Sequence, residues 1–579
     1  MLCSWARAWL LALGVIGGLA RGGTQAPARL AEVVPDEILA YVELTDARGL
    51  LERLTDPSYR EIVSDLEALA ESGPRKQWGE LVAGATYVAS QLGTKPETLL
   101  REVAGGGAAI AVAGKDRVAG WIEARDADLL RRAHGVVLNL ARRDDKNGGP
   151  TVTEHGGVTI YEFDKNLAHA VVGPRLIFAS SRETLCGMLD RLAGVGEKVS
   201  NLAESEAFRV RDAARPRDAW AWAYADLERV RAADPKAFQG KPEDEAGQLL
   251  LFGPWIEGLR AGKWATLTMG PAGSGWTARL EMERPSGDSA GRFAGFLPPE
   301  GEGPAPLLRP EGTLLSVSLY RDLERVWDAR AELLPAEAQA GLAQLDTFAG
   351  QFFGGRDFAS GVLGALTPRW RFVVVAQDHE AIEPTPGTRL PGFAVVLGLK
   401  PGDDEFAVRL TSAFQSFVGL VNLGAAQQKA PPLMLGATEV EGISVSTAAF
   451  VPPKGAVDGE ADVRFNFSPS AARVGDAYVI ASSVQTARAL VPLLKVESGG
   501  EIATGLTMLA EGEGDEAARL IGLNVGALRM RRMLEKGKDR EAAESDVAAM
   551  GRLVERLGRV RLEASDRDGL TRFDLRVAP

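Results

Sequence analysis

Cysteine and histidine are scarce in this 579-residue chain, with two of the first and four of the second. Cys3 lies in the first residues, so a chain trimmed there keeps only Cys186 and forms no internal disulfide. Cys186 sits in "SSRETLCGML" on an expected amphipathic helix, where it reads as a small buried hydrophobe. His134, His155, His169 and His379 show no H-x-x-x-H spacing, and no C-x-x-C accompanies them, which removes the common zinc patterns. "DGEAD", with Asp458, Glu460 and Asp462, lacks the rest of a calcium loop and reads as a solvated charge run.

Phosphate-binding signatures are missing as well. None of the Gly-Lys pairs is followed by Ser or Thr, so there is no P-loop. Gly105, Gly106 and Gly107 precede a strand, whereas a dinucleotide fingerprint needs its glycines between a strand and a helix. No basic stripe offsets the net charge of -12. Lys and Arg are interspersed with Asp and Glu, as in "KGKDREAAESD", which disfavours nucleic acid and direct attraction to anionic lipid headgroups. Beyond the N-terminus, no stretch is expected to be long and apolar enough to cross a membrane.

What is present begins with an export pattern. "MLCSWARAWLLALGVIGGLARGGTQAPARL" has a positive start at Arg7, an apolar run from Trp9 to Leu19, and small residues at Gly18 and Ala20. The run is shorter than the ~20 residues of a membrane span, so cleavage near Ala20 or Ala26 is expected, with Pro27 weakening the second site. Cys3 precedes the apolar run, where a lipoprotein cysteine would follow it.

Internal echoes come next. "PDEILAYVELTDARGLLERL" from Pro35 is echoed by "PEGTLLSVSLYRDLERVWDA" from Pro310, and "GPRLIFASSRETLCGML" from Gly173 by "GDAYVIASSVQTARALV" from Gly475. "GKWATLTMGPAGSGWTARLEME" from Gly262 is echoed by "GRVRLEASDRDGLTRFDLRV" from Gly558. The order is kept, so a duplication is the economical reading. The expected organisation is a signal peptide at 1–26, a first lobe at 27–290, a Pro/Gly-rich linker at 291–309 and a second lobe at 310–579.

Each copy opens with a strand and then helices such as "PSYREIVSDLEALAES" or "PAEAQAGLAQLDTFAGQFF". Two apolar strands follow, "GAAIAVAG" and "AGWIEA", or "WRFVVVAQ" and "GFAVVLGL". The next helix starts at Asp126 or Asp403, placed to cap it. Its expected inward stripe is Leu129, Leu130, Ala133, Val137 and Leu140 in the first copy, and Phe406, Leu410, Phe414, Phe417 and Val421 in the second. Hairpins, another helix and a closing hairpin at "PAGSG" or "DRDG" complete an α+β plan of two similar lobes, each an antiparallel or mixed sheet with packed helices.

The entry "LxxxxPDEILAYVELTDARGLLERL", the later "LIFASSRETL" and the two-copy length resemble a family of exported bacterial proteins catalogued only as a domain of unknown function. The resemblance implies an envelope or extracytoplasmic location and carries no catalytic residues.

The best enzymatic lead is Gly287-Asp288-Ser289-Ala290-Gly291, which fits the G-x-S-x-G of a nucleophile elbow. Ser289 does not suit that role. The strand before it alternates apolar and polar residues, then meets Pro285 and Gly287, and the sole downstream histidine is His379, expected exposed in a loop. Capping of a short helix carrying Phe293 and Phe296, by Ser286 or Asp288, is the plainer reading. The repeated Ala-Ser-Ser reads as two capping boxes, Ser180 with Glu183 and Ser482 with Gln485.

The sequence therefore points to an exported, non-enzymatic protein that binds or scaffolds in the periplasm or at the cell surface, without cofactor or metal. Its partner is an envelope protein or a hydrophobic ligand. Alternatives are a carrier or sensor with a hydrophobic ligand between the lobes, and a serine hydrolase using Ser289.

Overall fold

The computed structural model describes residues 28–46, 74–114, 117–142, 149–163, 167–195, 200–238, 242–284, 291–334, 352–427, 430–452, 457–497 and 502–579, with a few single residues between them. The expected signal peptide, most of the helices expected at 57–72 and 335–353, and the Ser286–Ser289 stretch lie outside the described residues. The fold is α+β. It divides into two compact units, one of residues 1–238 and 259–283, the other of residues 239–258 and 284–579.

The strands of unit 1 are β1 (Ala40–Leu44), β2 (Gly107–Gly114), β3 (Arg117–Glu123), β4 (Thr151–His155), β5 (Val158–Glu162), β6 (Ala168–Val172), β7 (Arg175–Ala179), β8 (Ala221–Asp226), β9 (Trp264–Ala272) and β10 (Gly275–Glu283). Their antiparallel ladders give the spatial order β4-β5-β6-β7-β3-β2-β1-β8-β9-β10. β1 is a central strand. Its Tyr41 pairs with Ala111 on one side and Tyr224 on the other. The core on one face joins Ile122 and Phe178 of the sheet to Val103, Leu130 and Ala133 of the helices Pro96–Ala104 and Ala127–Arg142. Side chains of this size contribute ~1.5–3 kcal/mol each when fully buried.

Unit 2 holds β11 (Thr313–Tyr320), β12 (Leu366–Val375), β13 (Gly392–Leu399), β14 (Leu433–Val440), β15 (Ile443–Phe450), β16 (Ser470–Val474), β17 (Ala477–Ala481), β18 (Leu506–Glu513), β19 (Arg559–Arg567) and β20 (Leu570–Ala578). Their order is β14-β15-β16-β17-β13-β12-β11-β18-β19-β20, again antiparallel throughout. Adding ten to each strand label of unit 1 reproduces it.

The helix Pro242–Ala261 contains Pro254 and breaks at Phe252 (φ -125°, ψ 15°). A proline removes a helical N–H and crowds the preceding turn, which explains the break. Within unit 2 its Trp255 meets Phe573 edge to face, and the Leu251 carbonyl accepts from the buried Arg321 guanidinium at 2.6 Å. Burial draws the Arg321 pKa down to about 10.

The Ala-Ser-Ser steps correct the expected capping boxes by one residue. Ser181 and Ser483 are the caps, their hydroxyls accepting from Thr184 N at 3.1 Å and Thr486 N at 3.2 Å. Ser180 and Ser482 instead extend a ladder. The Ser482 hydroxyl accepts from Phe393 N at 2.8 Å while Ser482 N donates to the Phe393 carbonyl, and Ser180 does the same with Val118. The Gln485 amide, one residue into the helix, exchanges two bonds with the Asp378 backbone rather than reaching back to the cap. Two adjacent serines have separate tasks because one ends a strand and the next starts a helix.

Removing the ladder-extending hydroxyl leaves a half-buried N–H unpaired. Ser482→Ala should destabilise unit 2 by about 1–3 kcal/mol and speed hydrogen exchange at the Phe393 amide, whereas Ser483→Ala should cost ~1 kcal/mol and act on the helix start. Urea unfolding with residue-resolved exchange separates the two.

Candidate functional site

Two features stand apart from ordinary packing, one in each unit. In unit 1, Asp126 Oδ1 accepts from Asp128 N and Leu129 N at 2.9 and 2.8 Å, starting the helix Ala127–Arg142 as its sequence predicts. Leu129, Leu130, Ala133 and Leu138 face inward, with Leu138 buried in place of the expected Leu140. His134 follows on the flank of this stripe and meets His169 of β6, Nε2 to Nε2 at 2.9 Å. The His169 ring is 1% exposed and stacks on Phe163 at 5.3 Å and Tyr161 at 5.4 Å. Tyr161 also meets His134 edge to face at 5.0 Å.

Burial makes the charged imidazolium costly. It lowers the pKa of His134 to about 4, and burial followed by repulsion from His134 lowers that of His169 to about 3. Near neutral pH the two rings are uncharged, and one Nε2–H donates to the other Nε2. His169 Nδ1 has no partner. Because an orphaned N–H is rarer than an under-satisfied acceptor, the favoured tautomer has His169 donating through Nε2 with a bare Nδ1. Unit 2 has Thr411 and Ala471 at the matching places, eight residues after Asp403 and second in β16.

The other polar clusters act as staples. In unit 1, Arg29 bonds Glu43 at 2.6 Å and Asp212 at 2.5 Å, and Tyr41 donates to Glu43 at 3.0 Å. Burial and the Glu43 charge keep the Tyr41 phenol protonated well above its ordinary range. In unit 2, Glu511 is clasped by Arg309 at 2.6 Å with Arg561 at 3.5 Å. Although burial works to raise its pKa, Arg309 and its neighbours hold the carboxyl below the ordinary range.

The residues singled out in the sequence fall as follows. Ser289 lies outside the described residues, while Phe293 and Phe296 beside it are buried. His379, expected exposed, is 5% exposed and its Nε2 is 3.0 Å from the Leu390 carbonyl, because the long β12–β13 loop folds back on itself. His155 meets Asp190 at 2.7 Å, a contact that sequence spacing missed. Asp458 accepts from Thr385 N, and Asp462 caps the turn Val463–Asn466 and pairs with Arg464. Cys186 is half-buried rather than buried. Gly105 and Gly106 serve close packing, since a Cβ on Gly106 would lie 2.4 Å from the Glu123 carbonyl oxygen.

The second feature is apolar. The helix Asp404–Gln427 of unit 2 is capped by Asp403, whose carboxylate accepts from Phe406 N at 3.0 Å and pairs with Arg356 at 2.9 Å. Phe406 and Leu410 are buried and Phe414 partly so, as expected. Phe417 and Val421, expected inward, are 59% and 39% exposed. The i+4 row that faces the strands runs Phe406, Leu410, Phe414, Val418 and Asn422, and Phe417 and Val421 fall one row over. Asn422 brackets the start of β14, donating to the Leu433 carbonyl at 2.8 Å and accepting from its N–H at 2.7 Å. Phe417, Leu420, Val421, Leu423, Met434 and Leu435 are each 39–60% exposed at this end of the unit. By length and composition this helix qualifies as a membrane span, which corrects the expectation that no later stretch would, and only 17% of its most apolar part is buried.

Two hollows on the described surface have mixed linings: one of about 760 Å³ is bounded by Arg292, Arg325, Asp328 and Glu332 with glycines and alanines, and one of about 350 Å³ by Arg309, Glu511, Glu513 and Arg559 with Pro310 and Gly312.

No protein-family model matches the chain, and no curated protein does. Solved structures of TP0453 in crystal forms I and III are similar over 46% of this chain and 81% and 82% of theirs, at 11% and 10% identity. Their TM-scores are 0.25 and 0.23, a likeness too slight to carry a functional argument.

The histidine pair has a pH signature. Both folded pKa values lie below the ordinary 6.5, so the unfolded chain binds more protons than the folded one between pH 6.5 and about 3. The neutral pair's contribution is complete above pH 6.5 and is lost as pH falls through that window. Replacing both residues as unit 2 has them, His134→Thr with His169→Ala, should lower stability at pH 7 by opening a cavity. It should also flatten the decline between pH 6.5 and 4, which chemical denaturation across that range would measure.

Proposed function

We propose that this is an exported, non-enzymatic protein of the bacterial envelope, belonging with the exported proteins it resembles in sequence and built from two copies of one α+β plan. It works by binding through apolar surface. The identical strand order of units 1 and 2 supports the duplication, as do the matched serine ladders at Ser180 and Ser482.

The observation that carries the functional reading is the exposed apolar end of unit 2. Monomeric proteins seldom leave contiguous apolar side chains in water, and those that do use them for interaction. Here Phe417, Leu420 and Val421 share an exposed face of the helix, and Leu435 is exposed on the face of the adjoining strand whose Leu433 packs with Val418 of that helix.

Fractionation of the source cells tests the reading. The chain should begin after Ala20 or Ala26 by mass and sediment with the envelope. Phe417→Ser with Val421→Ser should shift it several-fold toward the soluble exported fraction. A cytoplasmic chain retaining residues 1–26, or a variant that fractionates like the natural chain, would sink the proposal.

A further inference from the structure

Among the described residues β14 pairs with β15 alone, so one side of its backbone is open. The hairpin fixes which groups face that side. Val440 and Ile443 are joined through Glu441 (φ 47°) and Gly442 (φ 81°), the positive-φ pair of a type I′ turn. Such a turn closes with a hydrogen bond between the residues that flank it, so Val440 bonds to β15. Bonded and unbonded residues then alternate along an antiparallel strand. Val440, Thr438, Gly436 and Met434 spend their N–H and C=O on β15, and Glu439, Ala437, Leu435 and Leu433 turn theirs outward. Asn422 agrees with this parity. Its amide donates to the Leu433 carbonyl at 2.8 Å and accepts from the Leu433 N–H at 2.7 Å, as a neighbouring strand would.

The outward groups of Leu435, Ala437 and Glu439 have no partner among the described residues. Natural sheets blunt such an edge with a short strand, a lysine, a proline or a bulge. β14 has eight residues, no lysine and no proline, and keeps one unbroken register with β15. Its open run is symmetric about Ala437.

We infer that β14 pairs antiparallel with β14 of a second copy about a two-fold axis at Ala437, so that the sheet of unit 2 continues from one chain into the other. This centring uses every open group. Ala437 faces Ala437 of the partner subunit and Leu435 faces Glu439 of the partner subunit, each pair exchanging two main-chain bonds. The run stops at Leu433, whose backbone Asn422 already holds. On the other face, Met434 meets Val440 of the partner subunit and Gly436 meets Thr438 of the partner subunit, an apolar pair and a small one. The two Glu439 carboxylates end ~14 Å apart along the ladder, beyond the ~8 Å screening length of physiological salt. Met434 and Leu435, 58% and 51% exposed in one chain, are covered by the added strand. The inference rests on the reading of this end of unit 2 as a binding surface, and the strand backbone rather than the apolar row of Phe417 and Val421 selects the occupant.

Sedimentation of the full mature chain should give a dimer. Ala437→Pro removes an outward N–H and leaves the ladder to β15 intact, since proline is tolerated where an edge strand faces solvent. It should weaken association about tenfold or more with circular dichroism unchanged. Val152→Pro, at the matching outward place on β4 of unit 1, should sediment like the natural chain. The register has its own readout in a chain carrying Cys186→Ser. Ala437→Cys should form a disulfide-linked dimer on mild oxidation, because that residue meets itself at ~5.5 Å between Cα atoms, whereas Thr438→Cys, facing Gly436, should not.

A monomeric natural chain would overturn the inference, as would a dimer that Ala437→Pro leaves intact or that cross-links through Thr438→Cys and not through Ala437→Cys. If the chain is monomeric and its envelope retention still depends on Phe417 and Val421, the occupant is an envelope component and the binding reading stands. If the strand tests succeed but Phe417→Ser with Val421→Ser fractionates like the natural chain, the dimer stands and the envelope reading falls.

Discussion

Each unit depends on one central strand that pairs on both sides with strands from far along the chain. β1 joins β2 and β8, so Tyr41 sits between Ala111 and Tyr224. β11 likewise joins β12 and β18, with Leu319 between Trp370 and Met508. These ladders close long loops before any contact compensates for the lost chain entropy. Once formed, they bring the two halves of each sheet onto one plane and give the helices a surface to cover.

The common plan is fitted out differently in the two units. At one position of the strand order, unit 1 has the histidine pair between its helix and β6, and unit 2 has Thr411 on its helix and Ala471 in β16 at the matching places. A buried neutral imidazole pair costs desolvation that a Thr-Tyr contact such as Thr411 with Tyr478 largely avoids. The same place in the fold thus holds a buried imidazole pair in one unit and a hydroxyl pair in the other.

Much of this was legible in the sequence. Apolar runs marked β2, β3, β12 and β13, and Asp126 and Asp403 cap the helices they precede. The failures have physical causes. Sequence spacing places Phe417 and Val421 inward because i+3/i+4 spacing identifies an apolar row but cannot choose between two adjacent apolar rows. The sequence places the caps of Ala-Ser-Ser one residue early because either serine fits a cap until the neighbouring strand's N–H is known. His134 and His169 stand 35 residues apart, and so do His155 and Asp190. No motif of short period detects side chains that a hairpin and a packed helix bring together.

The division of the chain between the units bears on how it is made. Trp255 belongs with Phe573, yet it emerges roughly 320 residues earlier, and at 5–20 residues per second that is a wait of ~15–60 s. Throughout that interval the segment 239–258 has no finished unit to join, while the strands on either side of it can already complete the first sheet. Unit 2 is therefore complete only once its last strand, which carries Phe573, has been made.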